Sequence, residues 1–575
     1  MRLEHPSRGL SAALVLGFVA GCAPGAAKPD RRNDTVESTG RAKATAASVI
    51  QLIEMTDRSG VRFTYRNGQE AQRLSILETV GGGVGLLDFD SDGRLDLFFT
   101  GGGGFGPHEQ LFGAPPGLFR QIAKWRFQPV ARDALVEAAP AYTHGCAVAD
   151  YDGDGFPDLL ITGYGRVLLY RNSGDGTFSE QAERAGLGDR LWGTSAGWGD
   201  VNRDGHPDLY VVQYVDWSFE NDPECRGAGP AGREVCSPLR FGGLPDALYL
   251  SNGDGTFRNA SAECGLRLDG KGLGVLLADV DLDGAIDIYV ANDTTPNFLY
   301  HNDGSGRFEE IGLLTATALD DQAAPNGSMG VDLGDFNLDG LPDLWVANFE
   351  NESFALYRNQ GNLLFTHVSR PLGIADVGGV YVGWGTAFAD LDRDGDEDVI
   401  SSNGHVMRFP VNAPVRQTPL LFENRRDQGF VDVARGAGEY LASAHEGRGL
   451  AVGDIDSDGD LDVAISRINE PAVLLSNESH VPHHWLGLRL VGTVSSRDAV
   501  GAIVHLRSAA GTQIRQVKGG GSYLSSSDRT VFFGLGEDQE IEELEIRWPS
   551  GHSQMIRRPD ADRVITVVEL RHRPL

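Results

Sequence analysis

The chain has 575 residues, of which 41% are hydrophobic and 76 are glycine, and it carries a formal charge of −31 from 81 acidic against 50 basic residues. This composition is globular, and so acidic a balance excludes a nucleic-acid footprint, which is basic. Length alone suggests several domains, but a repeat array can make one large domain of it.

The N-terminus reads as an address. Arg2 and Arg8 form a basic n-region, and residues 10–20 form an apolar stretch too short to span a bilayer. The stretch ends in Val19-Ala20-Gly21-Cys22, which resembles a bacterial lipoprotein signal with its lipobox. That resemblance implies lipidation of Cys22, with residues 1–22 as signal and a mature protein anchored outside the cytoplasm, at the outer membrane or cell surface. An ordinary secretory signal with a chance cysteine is the alternative. Residues 23–48 are rich in Ala, Lys, Arg, Asp and Thr and read as a flexible tether.

Between residues 49 and 480 one short stretch recurs seven times. The second copy reads Asp150-Tyr-Asp152-Gly-Asp154-Gly155-Phe156-Pro-Asp158 and runs into Leu159-Leu160-Ile161. Numbered from its first aspartate, each copy has Asp or Asn at positions 1, 3 and 5, Gly at position 6 and Asp at position 9. The first copy holds Asp88, Asp90, Asp92 and Asp96, the third Asp200, Asn202, Asp204 and Asp208, and the fourth Asp279, Asp281, Asp283 and Asp287. The fifth holds Asp335, Asn337, Asp339 and Asp343, the sixth Asp390, Asp392, Asp394 and Asp398, and the seventh Asp454, Asp456, Asp458 and Asp462. Starts are 62, 50, 79, 56, 55 and 64 residues apart, which points to one supersecondary unit per copy.

Short runs rich in aromatic and β-branched residues flank each loop and read as strands. A second element follows most loops: Leu169-Tyr170-Arg-Asn172 through Phe178, Leu248-Tyr249 with Asn252 through Phe257, and Leu299-Tyr300-His-Asn302 through Phe308. Weaker copies hold Asn359, Asn424 and Asn477. This is a hairpin, so each unit supplies about four strands. Four strands per unit and seven units describe an all-β, seven-bladed β-propeller, with a linear β-solenoid as the runner-up. The strand-like run Val61–Tyr65 is expected to close the ring against the last blade. The long third interval holds a Gly/Pro-rich insertion with Cys225 and Cys236. A disulfide there staples a loop without a core, worth about 2–3 kcal/mol, while Cys146 and Cys264 are expected to be buried thiols.

Positions 1, 3, 5 and 9 offer oxygen side chains. Position 7 (Arg94, Phe156, His206, Ala285, Leu341, Asp396 and Asp460) offers a backbone carbonyl. An all-oxygen cage around a glycine turn suits Ca²⁺, in up to seven sites. Twenty-six of the 81 acidic residues occupy these side-chain positions, only Asn202 and Asn337 departing. Carboxylates about 4 Å apart repel by roughly 4 kcal/mol at an effective dielectric near 20, so either the loops splay or a cation fills them. Position 12 is Phe99, Ile161, Val211, Val290, Val346, Ser401 or Ile465, never the Glu an EF-hand needs. Loops and hairpins together resemble the FG-GAP/VCBS repeats of integrin-type propellers. The resemblance implies one Ca²⁺ between two strands of each blade, with weaker binding at the loops holding Asn202 and Asn337.

From residue 481 the pattern changes to alternating strands that suggest a small β-sandwich-like domain. Arg497–Ala502, Gly519-Gly-Gly-Ser522-Tyr-Leu-Ser525, Phe533-Gly-Leu-Gly536 and Arg547-Trp548-Pro549-Ser550-Gly551 closely resemble the ASPIC/UnbV domain. With the propeller before it, the mature chain resembles the cartilage acidic protein family and its bacterial relatives. This implies an extracytoplasmic Ca²⁺-binding protein and identifies no ligand; the lipid anchor, the tether, the rigid propeller and the accessory β domain are what suggest a binding module for a glycan or protein partner. The competing readings are a propeller enzyme acting on polysaccharide and an accessory factor in a biosynthetic pathway. No nucleophile–base pair is visible by spacing. His144, His405 and His445 lie near blade motifs, and His445-Glu446-Gly447-Arg448 is the best polar cluster, without an assigned role.

Overall fold

The computed structural model describes residues 48–188 and 191–571. Cys22, the signal and most of the tether lie outside the described residues.

Seven antiparallel blades of four strands each follow one another along the chain, the fourth extended at its inner edge by the short strand Gly519–Gly520. In blade 2 the strands are Thr143–Ala149, Asp158–Gly163, Leu168–Asn172 and Phe178–Glu180, from the axis outward. The acidic loop joins the first strand to the second, and the Asn/Gly/Asp turn joins the third to the fourth. The first strands are fully buried in every blade, and several are dominated by small residues, as in Gly193–Gly199 and Gly383–Ala389. Apolar side chains from neighbouring blades share cores: Leu160 and Leu169 pack with Trp198 and Tyr249, and Tyr289 and Leu299 with Val346 and Tyr357. Sandwiching each sheet between two others explains strands that are apolar on both faces.

The ring closes with Leu52–Glu54, which pairs antiparallel with Val473–Asn477 as the outer strand of blade 7. This rules out a linear solenoid and corrects the closing strand expected at Val61–Tyr65. Thr64 and Tyr65 make only isolated bridges, to Pro471 and Ile468. Blade 1 carries an extra hairpin, Gly103–Gly106 with Gln110–Gly113. In the blade 3 insertion, Cys225 and Cys236 are disulfide-bonded with Cα atoms 5.2 Å apart, whereas Cys146 and Cys264 are free and buried.

The C-terminal region forms two further sheets. Val531–Gly536, His484–Val491 and Arg563–Val568 make one, and Gly511–Gln516, Ile503–Ser508, Ile541–Arg547 and Ser553–Arg557 the other. Leu486, Leu488, Val504, Leu506, Phe533 and Leu544 form their core, which is continuous with Ile286, Ile288 and Leu277 of blade 4.

Candidate metal centres

Each acidic loop is clamped by backbone donors. The position-9 carboxylate accepts two N–H groups, one from position 2 and one from the end of the third strand. In blade 2, Asp158 accepts from Tyr151 at 3.1 Å and Asn172 at 2.7 Å, and in blade 7, Asp462 accepts from Ile455 at 2.9 Å and Asn477 at 2.8 Å. The position-1 carboxylate accepts from the position-6 glycine, as Asp150 does from Gly155 at 2.8 Å and Asp279 from Gly284 at 2.7 Å. That glycine has φ between 83 and 100° in all seven loops, a turn that L side chains resist. The loops therefore stay closed without splaying, because these donors offset part of the carboxylate repulsion.

The carboxyls meet in small groups. Ligand oxygens of Asp88, Asp90 and Asp96 lie within 4.8 Å of one another, as do those of Asp150, Asp152 and Asp158, of Asp279, Asp281 and Asp287, and of Asp390, Asp392 and Asp394. Burial, reinforced by neighbouring carboxylates, pushes Asp96 up to about 8, Asp158 to about 9 and Asp208 to about 8. The same causes raise Asp150, Asp279 and Asp454 to about 7. Oxygens Asp90 Oδ1, Asp150 Oδ1, Asp390 Oδ1 and Asp456 Oδ1 are buried and take no hydrogen bond. An oxygen-only donor set with unpartnered buried oxygens fits a hard divalent cation.

Basic side chains that sequence reasoning missed face the outer oxygens at positions 3 and 5. Arg120 reaches Asp90 and Asp92, Arg171 reaches Asp152 and Asp154, and Arg358 lies 3.0 Å from Asp339. His301 holds the same place in blade 4, with Nε2 3.1 Å from Asp281. Arg171, His301 and Arg358 immediately precede the Asn that ends the third strand and Arg120 precedes Gln121 within it, a shared register that only the fold connects to the loops. Where position 3 is Asn, its amide does similar work: Asn202 donates to Asp204 at 3.0 Å and Asn337 to Asp339 at 2.9 Å. At position 7, the Arg94 side chain pairs with Asp92, Asp396 lies 2.7 Å from Arg426, and Asp460 lies 2.9 Å from Arg393.

The hairpin amides link the ring. Asn172 donates to Phe89 O of the preceding blade at 2.8 Å, Asn302 to Val201 O at 2.8 Å and Asn359 to Val280 O at 2.9 Å. Asn424 donates to Phe336 O at 2.7 Å and Asn477 to Leu391 O at 2.8 Å. Gln121 takes the role in blade 1, reaching Ile455 O of blade 7 at 2.8 Å. Blade 3 is the exception. Ser251, not Asn252, occupies the register position, and the Asn252 amide turns instead to Thr256.

The central channel is filled by the C-terminal domain. Its segment 519–528 enters along the axis and bonds to the first strand of every blade. Leu86 donates to Ser526 O at 2.9 Å, Cys146 to Leu524 O at 3.0 Å, and Leu524 to Ser195 Oγ at 3.0 Å. Gly519–Gly520 pairs with Leu277 and Leu276, Val331 bridges Ser522, Thr386 donates to Ser522 Oγ at 3.1 Å, and that hydroxyl donates to Leu450 O at 2.7 Å. A cavity of about 140 Å³ remains at the stem of this plug, beside the ion pairs Lys518–Asp332 at 2.5 Å and Arg515–Glu397 at 3.3 Å.

The histidines singled out in the sequence do not form one site. His144 is fully buried beside the plug, 3.4 Å from Tyr65 Oη, and burial lowers it to about 3. His405 pairs with Glu350 at 3.2 Å, and His445 stacks on Tyr440 at 4.1 Å while facing Arg467. Arg448 is buried over Trp384 and donates to the carbonyls of Gly404 and Gly447. Ser550, His552 and Glu569 also meet, but Glu569 takes the Ser550 hydroxyl and the N–H groups of Thr493, Val494 and Ser495, which makes it a strand anchor.

Comparison with known proteins agrees with this arrangement. The FG-GAP-like repeat family matches residues 88–161, 150–211, 279–346 and 335–401, and the ASPIC and UnbV family matches residues 492–574. The chain is an FG-GAP repeat protein with a C-terminal ASPIC/UnbV domain. It is similar to cartilage acidic protein 1 of Xenopus tropicalis, 26% identical over 501 residues covering 82% of this chain and 70% of that protein. The Homo sapiens protein is likewise 26% identical, over 82% of this chain and 69% of its own. Among solved structures, a lectin from Agrocybe aegerita that recognises non-reducing terminal N-acetylglucosamine covers 68% of this chain and 87% of its own, at 17% identity and a TM-score of 0.39. The FG-GAP repeats are thus the loops and hairpins of the blades, and the ASPIC/UnbV domain is the element that plugs the channel.

Proposed function

We propose that this protein is an extracytoplasmic, lipid-anchored calcium-binding module that presents a rigid propeller face to a glycan or protein partner and carries out no catalysis. The observation that supports it is the set of oxygen-only cages in which Asp90 Oδ1, Asp150 Oδ1, Asp390 Oδ1 and Asp456 Oδ1 are buried without a partner. The four side chains of each loop at positions 1, 3, 5 and 9, with the position-7 carbonyl, would hold the ion. Bound calcium supplies the positive charge that lets these carboxylates stay ionised together. The anchor is assigned to Cys22 on the lipobox-like run Val19-Ala20-Gly21-Cys22. The partner surface is the end of the ring away from the metal loops, where the stapled insertion and the segment after His405 meet. There Glu234 accepts the N–H groups of Arg408 and Phe409, and Leu239 and Val411 are exposed. Loops held on such a scaffold commonly carry recognition.

Calcium titration by calorimetry, with melting in calcium and in EGTA, tests the metal. Extracellular modules bind at about 10⁻⁴–10⁻³ M, so chelation lowers the melting temperature, and an unchanged transition with no binding heat refutes the reading. A glycan array probed with the purified protein separates a carbohydrate partner from a protein one. Cys22→Ser tests the anchor by moving the protein from the membrane to the soluble extracytoplasmic fraction.

A further inference from the structure

The C-terminal domain reaches the metal loops at or beside their first residue, and it reaches only some of them. In blade 2, Asp150 N donates to Asp498 at 2.9 Å while Arg497 lies 3.3 Å from the Asp150 carboxylate. In blade 4, Gln516 both accepts from Asp279 N at 3.1 Å and donates to Asp279 O at 2.7 Å. In blade 6, Gly534 N donates to Asp390 Oδ2 at 3.1 Å, and Arg515 donates to the carbonyl of the turn glycine Gly395 at 3.3 Å. Among the described residues, no hydrogen bond or ion pair joins the domain to the blade 1 loop, whose Asp88 is only half-buried. Asp150, Asp279 and Asp390 are at most 5% exposed.

Asp150 Oδ1 and Asp390 Oδ1 are buried with no partner on residues that the domain contacts, whereas the unpartnered Asp90 Oδ1 and Asp456 Oδ1 lie on loops to which it makes no bond among the described residues; unsatisfied buried acceptors at the contact oppose the seated state. A cation in the loop removes that penalty. We infer that metal in the loops of blades 2, 4 and 6 and the seating of the C-terminal domain, with its axial plug, stabilise one another. The inference rests on the calcium reading above. Linkage requires the coupling to be reciprocal: a domain that favours filled loops raises their affinity by the same factor that metal favours seating. The plug is the reporter, because it belongs to the domain and bonds to the first strands of the blades rather than to the loops themselves.

Hydrogen exchange read by mass spectrometry on the full chain tests this. With free calcium about 100 times the Kd, a site present only in the seated state protects that state about 100-fold. Amides 522–528 are expected to exchange up to about 100-fold faster in EGTA. With calcium present, the double variant Asp392→Asn/Asp394→Asn in blade 6 accelerates the same amides, while Asp90→Asn/Asp92→Asn in blade 1 leaves them within about threefold of the parent, a shift under 1 kcal/mol. Should the blade 6 variant fail to fold, the EGTA comparison on the parent chain decides alone. Calcium binding without any change in plug exchange overturns the linkage and leaves the calcium reading intact. An equal effect from the blade 1 pair overturns the assignment to the covered loops. Absence of calcium binding overturns both.

Discussion

The amides that join neighbouring blades predict opposite effects at two equivalent positions. Asn359 is 2% exposed, donates to Val280 O at 2.9 Å and Pro342 O at 3.0 Å, and accepts from Gly361 N at 2.9 Å. Asn359→Ala removes all three bonds and leaves two buried carbonyls short of a donor. At about 1 kcal/mol net per bond, plus the desolvation of the stranded groups, the loss is about 2–4 kcal/mol. In blade 3 the same place holds Ser251, whose hydroxyl already accepts from Gly253 at 3.2 Å much as Asn172 accepts from Gly174 at 3.0 Å. Ser251→Asn therefore keeps the turn and adds the missing donor toward blade 2, a gain of about 1 kcal/mol. Urea unfolding at fixed saturating calcium, followed by circular dichroism and tryptophan emission, measures both. Asn252→Ala is the control, since Asn252 lies one residue off the register and makes its bond within its own exposed turn. A loss below about 0.5 kcal/mol for Asn359→Ala, the scatter of ordinary surface changes, or an equal loss for Asn252→Ala refutes the linkage.

Asn202→Asp exchanges an amide that donates to Asp204 for a fourth carboxylate. Without calcium it destabilises by about 1 kcal/mol, and with calcium it tightens the blade 3 site, so calorimetry and chelated melting should move in opposite directions. For pH, burial depresses His144 to about 3. A histidine with a folded pKa below its unfolded value contributes stability above about 6.5 that is lost as pH falls toward the folded pKa, at about 1.4 kcal/mol per unit. Between pH 6.5 and 5 the parent loses about 2 kcal/mol that His144→Gln does not, measured by denaturant midpoints in calcium.

Loops and hairpins were legible because each repeats a turn chemistry that the backbone requires, and their number counts the blades. The blade 1 hairpin was not, since Gln121 replaces the asparagine and the extra Gly103–Gly113 hairpin delays it. The closing strand was misplaced because Val61–Tyr65 has the better alternation, whereas Leu52–Glu54 is a strand only through a partner more than 400 residues away. Gly519–Ser525 stood out as a motif, yet nothing in a run of glycines and serines announces an axial plug. Its composition is explained by what surrounds it. A Cβ on Gly83 would lie 2.3 Å from Leu524 O, and one on Gly449 would lie 2.4 Å from Ser525 Oγ, so the channel and its occupant are both built from small residues. The basic residues that face the loops needed the fold as well, because only the sheet shows that the third strand ends beside the second strand's loop.

Seven copies of one loop do not make seven equal centres, and the inequality can be argued from the neighbours. The backbone clamp is common to all, so differences come from the side chain before the hairpin amide and from the C-terminal domain. Blades 1, 2 and 5 place an arginine there and blade 4 a histidine. Blade 7 has Ser476, but Lys124 of blade 1 reaches across to Asp456 at 3.0 Å and Asp458 at 3.2 Å. Blade 6 instead places Glu423, an added acid whose Oε2 is buried and takes no hydrogen bond. Its loop also has aspartate at position 7, and Asp390, Asp392, Asp396 and Asp398 are all at most 8% exposed. Arg426 reaches Asp396, and Arg425 is held by Glu423. More loop carboxylates are buried here than in any arginine-faced loop, so the added cations Arg426 and Arg515 face a larger buried negative charge. Electrostatic demand for a divalent ion is therefore greatest in blade 6, where the domain also contacts the position-1 carboxylate directly through Gly534.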